Sequence, residues 1–196
     1  MKKCKVCKVP FDPFSSLAVA CSQKCALIHV QNENDKKAAK VKKESRQWVR
    51  VQRDRLKSKG DHTRDAQQAF NRYVRLRDYY KPCVSCGISY SSNKYGGIFD
   101  CGHYRSTGSA PHLRFNLNNT AKQCVKCNRY LSSNTVEYRL ELISRIGKEK
   151  VKDIECDQSS KRWSIEYLKR IKKVFSKKSR ILEKRISNGE KYSDCG

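Results

Sequence analysis

Apolar residues are scarce. Of 196 residues 37% are hydrophobic, and eleven of those are cysteines. Globular chains usually carry about 45–50% apolar residues, so one large oily core is excluded and small modules stapled by something else are expected. No apolar run approaches the roughly 18–20 residues that a membrane span needs. Met1-Lys2-Lys3 is basic, but Cys4 and Cys7 follow with no apolar stretch, so no secretory signal is read. Acidic residues are scarce too: 19 Asp and Glu stand against 44 Lys and Arg, a formal charge of +25. There is no internal repeat beyond the likeness of two cysteine modules, and no sustained heptad.

The charge excess points to a polyanion, with nucleic acid the first candidate because each neutralised phosphate releases counterions. A merely soluble surface and an anionic membrane are the weaker alternatives. The charge is uneven. Residues 31–60 hold 11 basic against 4 acidic residues, and residues 161–185 hold 11 against 2. Two basic arms therefore flank a more balanced middle.

Eight cysteines form four close pairs: Cys4/Cys7, Cys21/Cys25, Cys83/Cys86 and Cys124/Cys127. Two thiolates two residues apart can point from one tight turn at one ion, and two such turns complete a tetrahedral zinc site. A disulfide framework conflicts with the missing signal and the odd cysteine count. A redox C-x-x-C would need a βαβ unit that is not apparent. Thirteen residues separate Cys7 from Cys21, and 37 separate Cys86 from Cys124. If the latter pairs share a zinc, the ion pins the two ends of a long insert. Each such site carries a charge of −2, which would lower the formal excess to about +21. Cys101, Cys156 and Cys195 remain as small buried side chains or free thiols.

Four segments are expected: a zinc knuckle (1–28), a basic helical arm (29–78), a zinc-bearing module (79–147) and a basic C-terminal helical region (148–196). Lys59-Gly60-Asp61 is read as a helix break. Helical spacing of Ala66, Ala69, Phe70, Tyr73 and Val74 follows, and Pro82 stops it. Tyr79 and Tyr80 are read as packing residues. Asn134-x-x-Glu137 resembles a capping box, and Gly147 ends that helix. A last helix starts near Ser164, with Trp163 and Leu168 as a hydrophobic staple.

The long insert carries Phe99-Asp100-Cys101-Gly102-His103-Tyr104-Arg105. Asn119 lies five residues before Cys124, and Asn128 follows Cys127. The layout C-x-x-C, D-x-x-H, N-x₄-C-x-x-C-N resembles the HNH (His-Me finger) nucleases, with Asn128 in place of the last His. The strings Leu113-Arg114-Phe115-Asn116, Gln123-Cys124 to Cys127-Asn128 and Tyr138-Arg139-x-Glu141 to Gly147 are similar to the bacteriophage NinG (Rap) recombination nucleases. The resemblance implies an α+β fold: a ββα-metal, HNH-like core with an N-terminal zinc knuckle and flanking basic helices. It implies an enzyme, a metal-dependent DNA endonuclease acting on Holliday junctions and D-loops in the host cytoplasm, with DNA as partner and no membrane. A symmetric junction would invite a homodimer.

Phosphodiester hydrolysis needs an activated water and charge neutralisation. His103 suits the base because its pKa lies near working pH. By analogy with the HNH fold, His103 ends the first strand, Asn119 sits on the second and holds the His loop, and Asn128 opens the helix and ligates Mg²⁺ or Mn²⁺. Asn116 and Asn118 compete with Asn119, which spacing to Cys124 favours. Asn128 has a second reading as a helix cap. Asp100 lies three residues before His103. Strand pleating turns those side chains to opposite faces, so Asp100 reaches the metal only by a bend or acts behind it. Many HNH sites have an acid directly before the His, and here that position is Gly102. Arg105, Arg114 and Arg129 are candidate phosphate clamps. His29, His62 and His112 are read as structural or solvated. The alternative function is a non-catalytic zinc-dependent DNA-binding accessory or regulator. A sequence-specific homing or restriction-type HNH nuclease is a third.

Overall fold

The computed structural model describes residues 1–89 and 99–190. Cys195 lies outside the described residues. The chain divides into two units, Met1–Lys57 and Ser58–Gly196. The basic arm expected over 29–78 is split at that boundary.

In the first unit, β1 (Lys2–Lys3) pairs antiparallel with β2 (Pro10–Phe11), Lys2 opposite Phe11. The turn between them carries Cys4 and Cys7. It is closed by the Cys4 amide on the Val9 carbonyl and the Lys8 amide on the Cys4 carbonyl, both at 3.0 Å. Lys8 takes φ 64° to complete it. α1 (Gln23–Arg55) starts where the Ser22 hydroxyl accepts from the Cys25 amide. It is rich in Lys, Arg, Gln, Glu and Ala, which favour helix, and it buries no residue. This is the solvated basic helix the composition suggests.

The second unit opens with α2 (Lys59–Arg77). Its capping box is Ser58 with Asp61, each side chain bonded to the other's backbone. The helix break therefore falls before Ser58, and Gly60 belongs to the first turn of α2, where the amides have no helical partner to lose. Ala66, Ala69, Phe70 and Val74 face inward, as their spacing implies. They meet α5 (Ile165–Ser187), capped by Ser164 as expected. Phe70 and Phe175 meet edge to face at 4.9 Å. Trp163 packs on the same cluster as Leu168 and also stacks on Tyr167 at 4.8 Å.

Between these helices β3 (Phe99–His103) and β4 (Thr120–Cys124) form an antiparallel hairpin, with Phe99 opposite Cys124 and His103 opposite Thr120. Every residue of β4 is buried. A π-helical turn (Lys126–Tyr130) leads to α3 (Thr135–Ile146) and α4 (Lys148–Cys156). Gly147, at φ 88°, separates the two helices. Tyr138 and Leu142 of α3 join Val84, Ala121 and Val151 in a second small core. The Asn134 capping box does not form: Asn134 sits at φ 40°, ψ 60° and its side chain caps nothing. Ser132, Ser133 and Asn134 all have positive φ. The Ser133 carbonyl accepts from the buried Gln123 amide at 2.6 Å, and this tertiary hold overrides the local signal. The fold is thus a helix-rich mixture with two small sheets and several small cores.

Asp78 ties α2 to the hairpin. Its buried carboxylate accepts from Arg77 at 2.7 Å and from the Lys122 amide at 3.0 Å. Arg77 also donates to the Leu117 and Thr120 carbonyls.

Candidate functional site

Each cysteine quartet forms a cluster in which the four sulfurs lie within 4.8 Å of one another. Cys7 and Cys21 sulfurs are 3.4 Å apart, Cys21 and Cys25 3.8 Å, and Cys86 and Cys124 3.7 Å. A tetrahedron with Zn–S of about 2.3 Å has edges near 3.8 Å, whereas a disulfide brings sulfurs to about 2 Å. The two clusters could therefore hold zinc ions, and the pairing is the one the spacing implies. Burial would raise the Cys4 thiol, but amides of Cys21, Cys7 and Val6 outweigh it and lower the pKa to about 6. Cys83 is lowered the same way against the pull of burial, by amides of Cys124, Cys86 and Ser85. Each cluster thus contains one thiol biased toward thiolate, the ligand form.

The second cluster anchors the hairpin. Cys124 ends β4 and Phe99 opens β3 beside it. The pleat of β3 sends Asp100 to one face and Cys101 and His103 to the other.

His103 ends β3, as expected. Its ring lies 6.4 Å from that of Phe70, and its Nε2 is 3.1 Å from the Arg114 carbonyl. A carbonyl only accepts, so a neutral ring that keeps this bond carries its proton on Nε2. Burial lowers the His103 pKa below its ordinary value, with the Arg114 charge acting the same way. The Arg114 and Cys101 carbonyls pull less strongly in the opposite direction. Asn119 lies one residue before β4 rather than on it. Its fully buried amide accepts from the Arg105 amide at 2.8 Å and donates to the Arg105 carbonyl at 3.0 Å. It thereby grips the turn that follows His103.

On the other face, the Asn128 side chain donates to Asp100 at 3.0 Å, and Arg129 makes a two-pronged pair with the same carboxylate at 2.8 and 3.0 Å. Burial would raise the Asp100 pKa, but the bonds from Arg129 and Asn128 hold it below the ordinary carboxylate range. Asp100 and Asn128, 28 residues apart in sequence, thus come together, as do His103 and Asn119. Among the described residues no hydrogen bond or ring contact joins the two pairs.

The three candidate arginines are all engaged. Arg105 donates to the Ile154, Glu155 and Asp157 carbonyls at the end of α4, Arg114 donates to Gln67, and Arg129 holds Asp100. His112 is structural, with Nε2 at 3.1 Å from the Asp157 carbonyl. Cys101 is buried and its thiol is pushed up to about 12, while Cys156 is exposed.

Sequence reasoning missed Gln123 and its neighbour Gly102. A Cβ on Gly102 would lie 2.3 Å from the Gln123 side-chain oxygen and 2.9 Å from its Cβ. Glycine immediately before the histidine is therefore a packing requirement, which explains why no acid occupies that position. Tyr79 and Tyr80 pack edge to face on each other, ring centroids 5.0 Å apart, and are 52% and 47% exposed.

No helix of the described residues is long and apolar enough to cross a membrane. No solved structure matches the chain. The family model described as Bacteriophage Lambda NinG protein matches residues 1–185. Protein ninG of Escherichia phage 933W is 38% identical over 193 residues, covering 92% of this chain and 93% of that protein. Protein ninG of Enterobacteria phage H19B is 40% identical over 192 residues, with the same coverage. Protein ninG of Escherichia phage lambda is 45% identical over 134 residues, covering 68% of this chain and 63% of that protein. With the cysteine pairs, the hairpin and all but the last two residues of α5 inside the matched span, the chain belongs to the NinG family of phage proteins.

Proposed function

We propose that the protein is a metal-dependent DNA endonuclease acting on branched recombination intermediates, with an HNH-like site built on the β3–β4 hairpin. The observation that carries this reading is His103: a histidine kept neutral by burial, its tautomer fixed through Nε2 and its following turn gripped by Asn119. A neutral imidazole can take a proton from water, and the Arg114 and Cys101 carbonyls stabilise the imidazolium that results.

Asp100 and Asn128 fit a hard divalent cation such as Mg²⁺ or Mn²⁺. One is an ionised carboxylate, the other an amide whose oxygen can turn to the same point, and the Arg129 guanidinium already marks it as a place for positive charge. A cation bound there would supply charge neutralisation to a DNA phosphate on that face of β3. The remaining excess of Lys and Arg serves backbone contacts, which recognise shape without reading sequence. The phage family and the resemblance to recombination nucleases support Holliday junctions and D-loops as substrates.

A non-catalytic DNA-binding accessory is the second reading. The bond of Arg129 to Asp100 favours it, because it satisfies the carboxylate without a metal ion.

His103 and the Asp100–Asn128 pair stand on opposite faces of β3, so they are tested separately. A four-way junction is incubated with wild type, His103→Ala and Asn128→Ala in Mg²⁺ or Mn²⁺. The endonuclease reading expects cleavage by wild type and at least a hundredfold loss in each variant, with junction binding retained. Junction binding without cleavage by wild type in either metal would establish the accessory reading instead.

A further inference from the structure

A cleft of about 750 Å³ opens beside the hairpin, lined by α2, the start of β3, β4 and the C-terminal part of α5. Its walls combine cations with exposed aromatic surface. Arg72 and Arg75 come from α2, Tyr79 from the turn just after it, Phe99 and Lys122 from the hairpin, and Glu183 from α5.

The charges are not equivalent. Glu183 is neutralised by Arg72 at 2.6 Å. The Lys122 ammonium donates to the Tyr79 carbonyl at 2.9 Å and lies 4.5 Å over the Phe99 ring. The Arg75 guanidinium lines the cleft and has no hydrogen bond or ion pair among the described residues. The cleft therefore offers an available guanidinium, with a half-exposed tyrosine four residues further along the chain.

We infer that this cleft receives one unpaired nucleotide of a branched DNA, its base against Tyr79 and its phosphate on Arg75. A guanidinium suits a phosphate, and a tyrosine ring suits any base, since every base has a π-face. A paired base is stacked on both faces and cannot offer one to a protein ring, so only a base freed at a branch fits. This would favour branches over plain duplex with no sequence readout. The inference rests on the reading that DNA is the partner.

The test is binding without added divalent metal, so that cleavage plays no part. Full-length protein is titrated into two DNAs of equal charge: a plain duplex, and a duplex with a branch bearing 2-aminopurine at the unpaired nucleotide. Wild type should prefer the branched DNA and quench the fluorophore as the base stacks. Tyr79→Ala should lose the quenching and about tenfold of the branched affinity, while Tyr79→Phe keeps both. Arg75→Gln should weaken binding and lower the salt slope by about one. Tyr79→Ala leaves the main-chain carbonyl that holds Lys122, so the fold is retained. Binding of both DNAs equally, or quenching unchanged in Tyr79→Ala, overturns the cleft and leaves DNA as partner intact. Binding of neither DNA overturns both.

Discussion

Asp78→Asn tests how the site is held up. Asp78 is 1% exposed and joins the end of α2 to β4 through Arg77 and the Lys122 amide. Burial alone would raise its pKa, but the Arg77 bonds and charge, the Lys122 amide and Lys81 more than offset that and lower it. The substitution removes the charge and leaves Arg77, itself largely buried, without its partner. Breaking a buried pair in this way costs about 3–5 kcal/mol. Arg77 keeps its bonds to the Leu117 and Thr120 carbonyls, so the lower end, about 3 kcal/mol, is expected. For a chain of this size that lowers Tm by about 6–12 °C. The assay is thermal unfolding by circular dichroism in zinc-containing buffer at pH 7. The pH dependence has a definite sign. A carboxylate with a lowered folded pKa contributes stability above its unfolded pKa of about 3.9, and loses it as pH falls through the folded value. The gap between wild type and Asp78→Asn should therefore hold from about pH 7 to 5 and close below about 4. A Tm difference under about 3 °C at pH 7, or a gap that widens in acid, would refute the clamp.

Gly102→Ala should destabilise by about 1–3 kcal/mol, as overpacking does, because the new methyl meets the Gln123 Cβ, which side-chain rotation cannot move. A denaturant melt reads this, and an unchanged midpoint would contradict the packing argument. Metal analysis should find about two zinc ions per chain. Cys127→Ala should lose the second and unfold the hairpin, since metal binding supplies folding energy in such modules. Zero zinc with oxidised thiols in the wild type would remove the clusters' assigned role.

The cysteine pairs were legible because their geometry is local: one turn carries two ligands, and only the partnering of turns needs the fold. The caps of α2 and α5 show the limits of local signals. Ser164 caps as its neighbours imply. Ser58-x-x-Asp61 forms a capping box, while at Asn134-x-x-Glu137 the backbone is left-handed and the Gln123 amide holds the Ser133 carbonyl. Arg105 reads as a phosphate clamp in the sequence because spacing says nothing about which helix end will lie nearby. It serves carbonyls at the end of α4 that have no helical partner of their own. The strand pleat correctly separated Asp100 from His103, but the closeness of Asp100 to Asn128 depends on the turn after β4, which no periodicity reveals. Tyr79 follows directly on the apolar stripe of α2, so pattern alone reads it as a packing residue, and it does pack on Tyr80 while staying half exposed.

On the proposed function, neutral His103 activates water for DNA cleavage. The most direct test is the pH profile of junction cleavage under single-turnover conditions with Mn²⁺ or Mg²⁺. Because burial lowers the His103 pKa, the rate should rise with pH to a plateau, with its midpoint below the ordinary histidine value of about 6.5. That limb should vanish with the bulk of the activity in His103→Ala. Full activity in His103→Ala, with the same profile as wild type, would contradict the account.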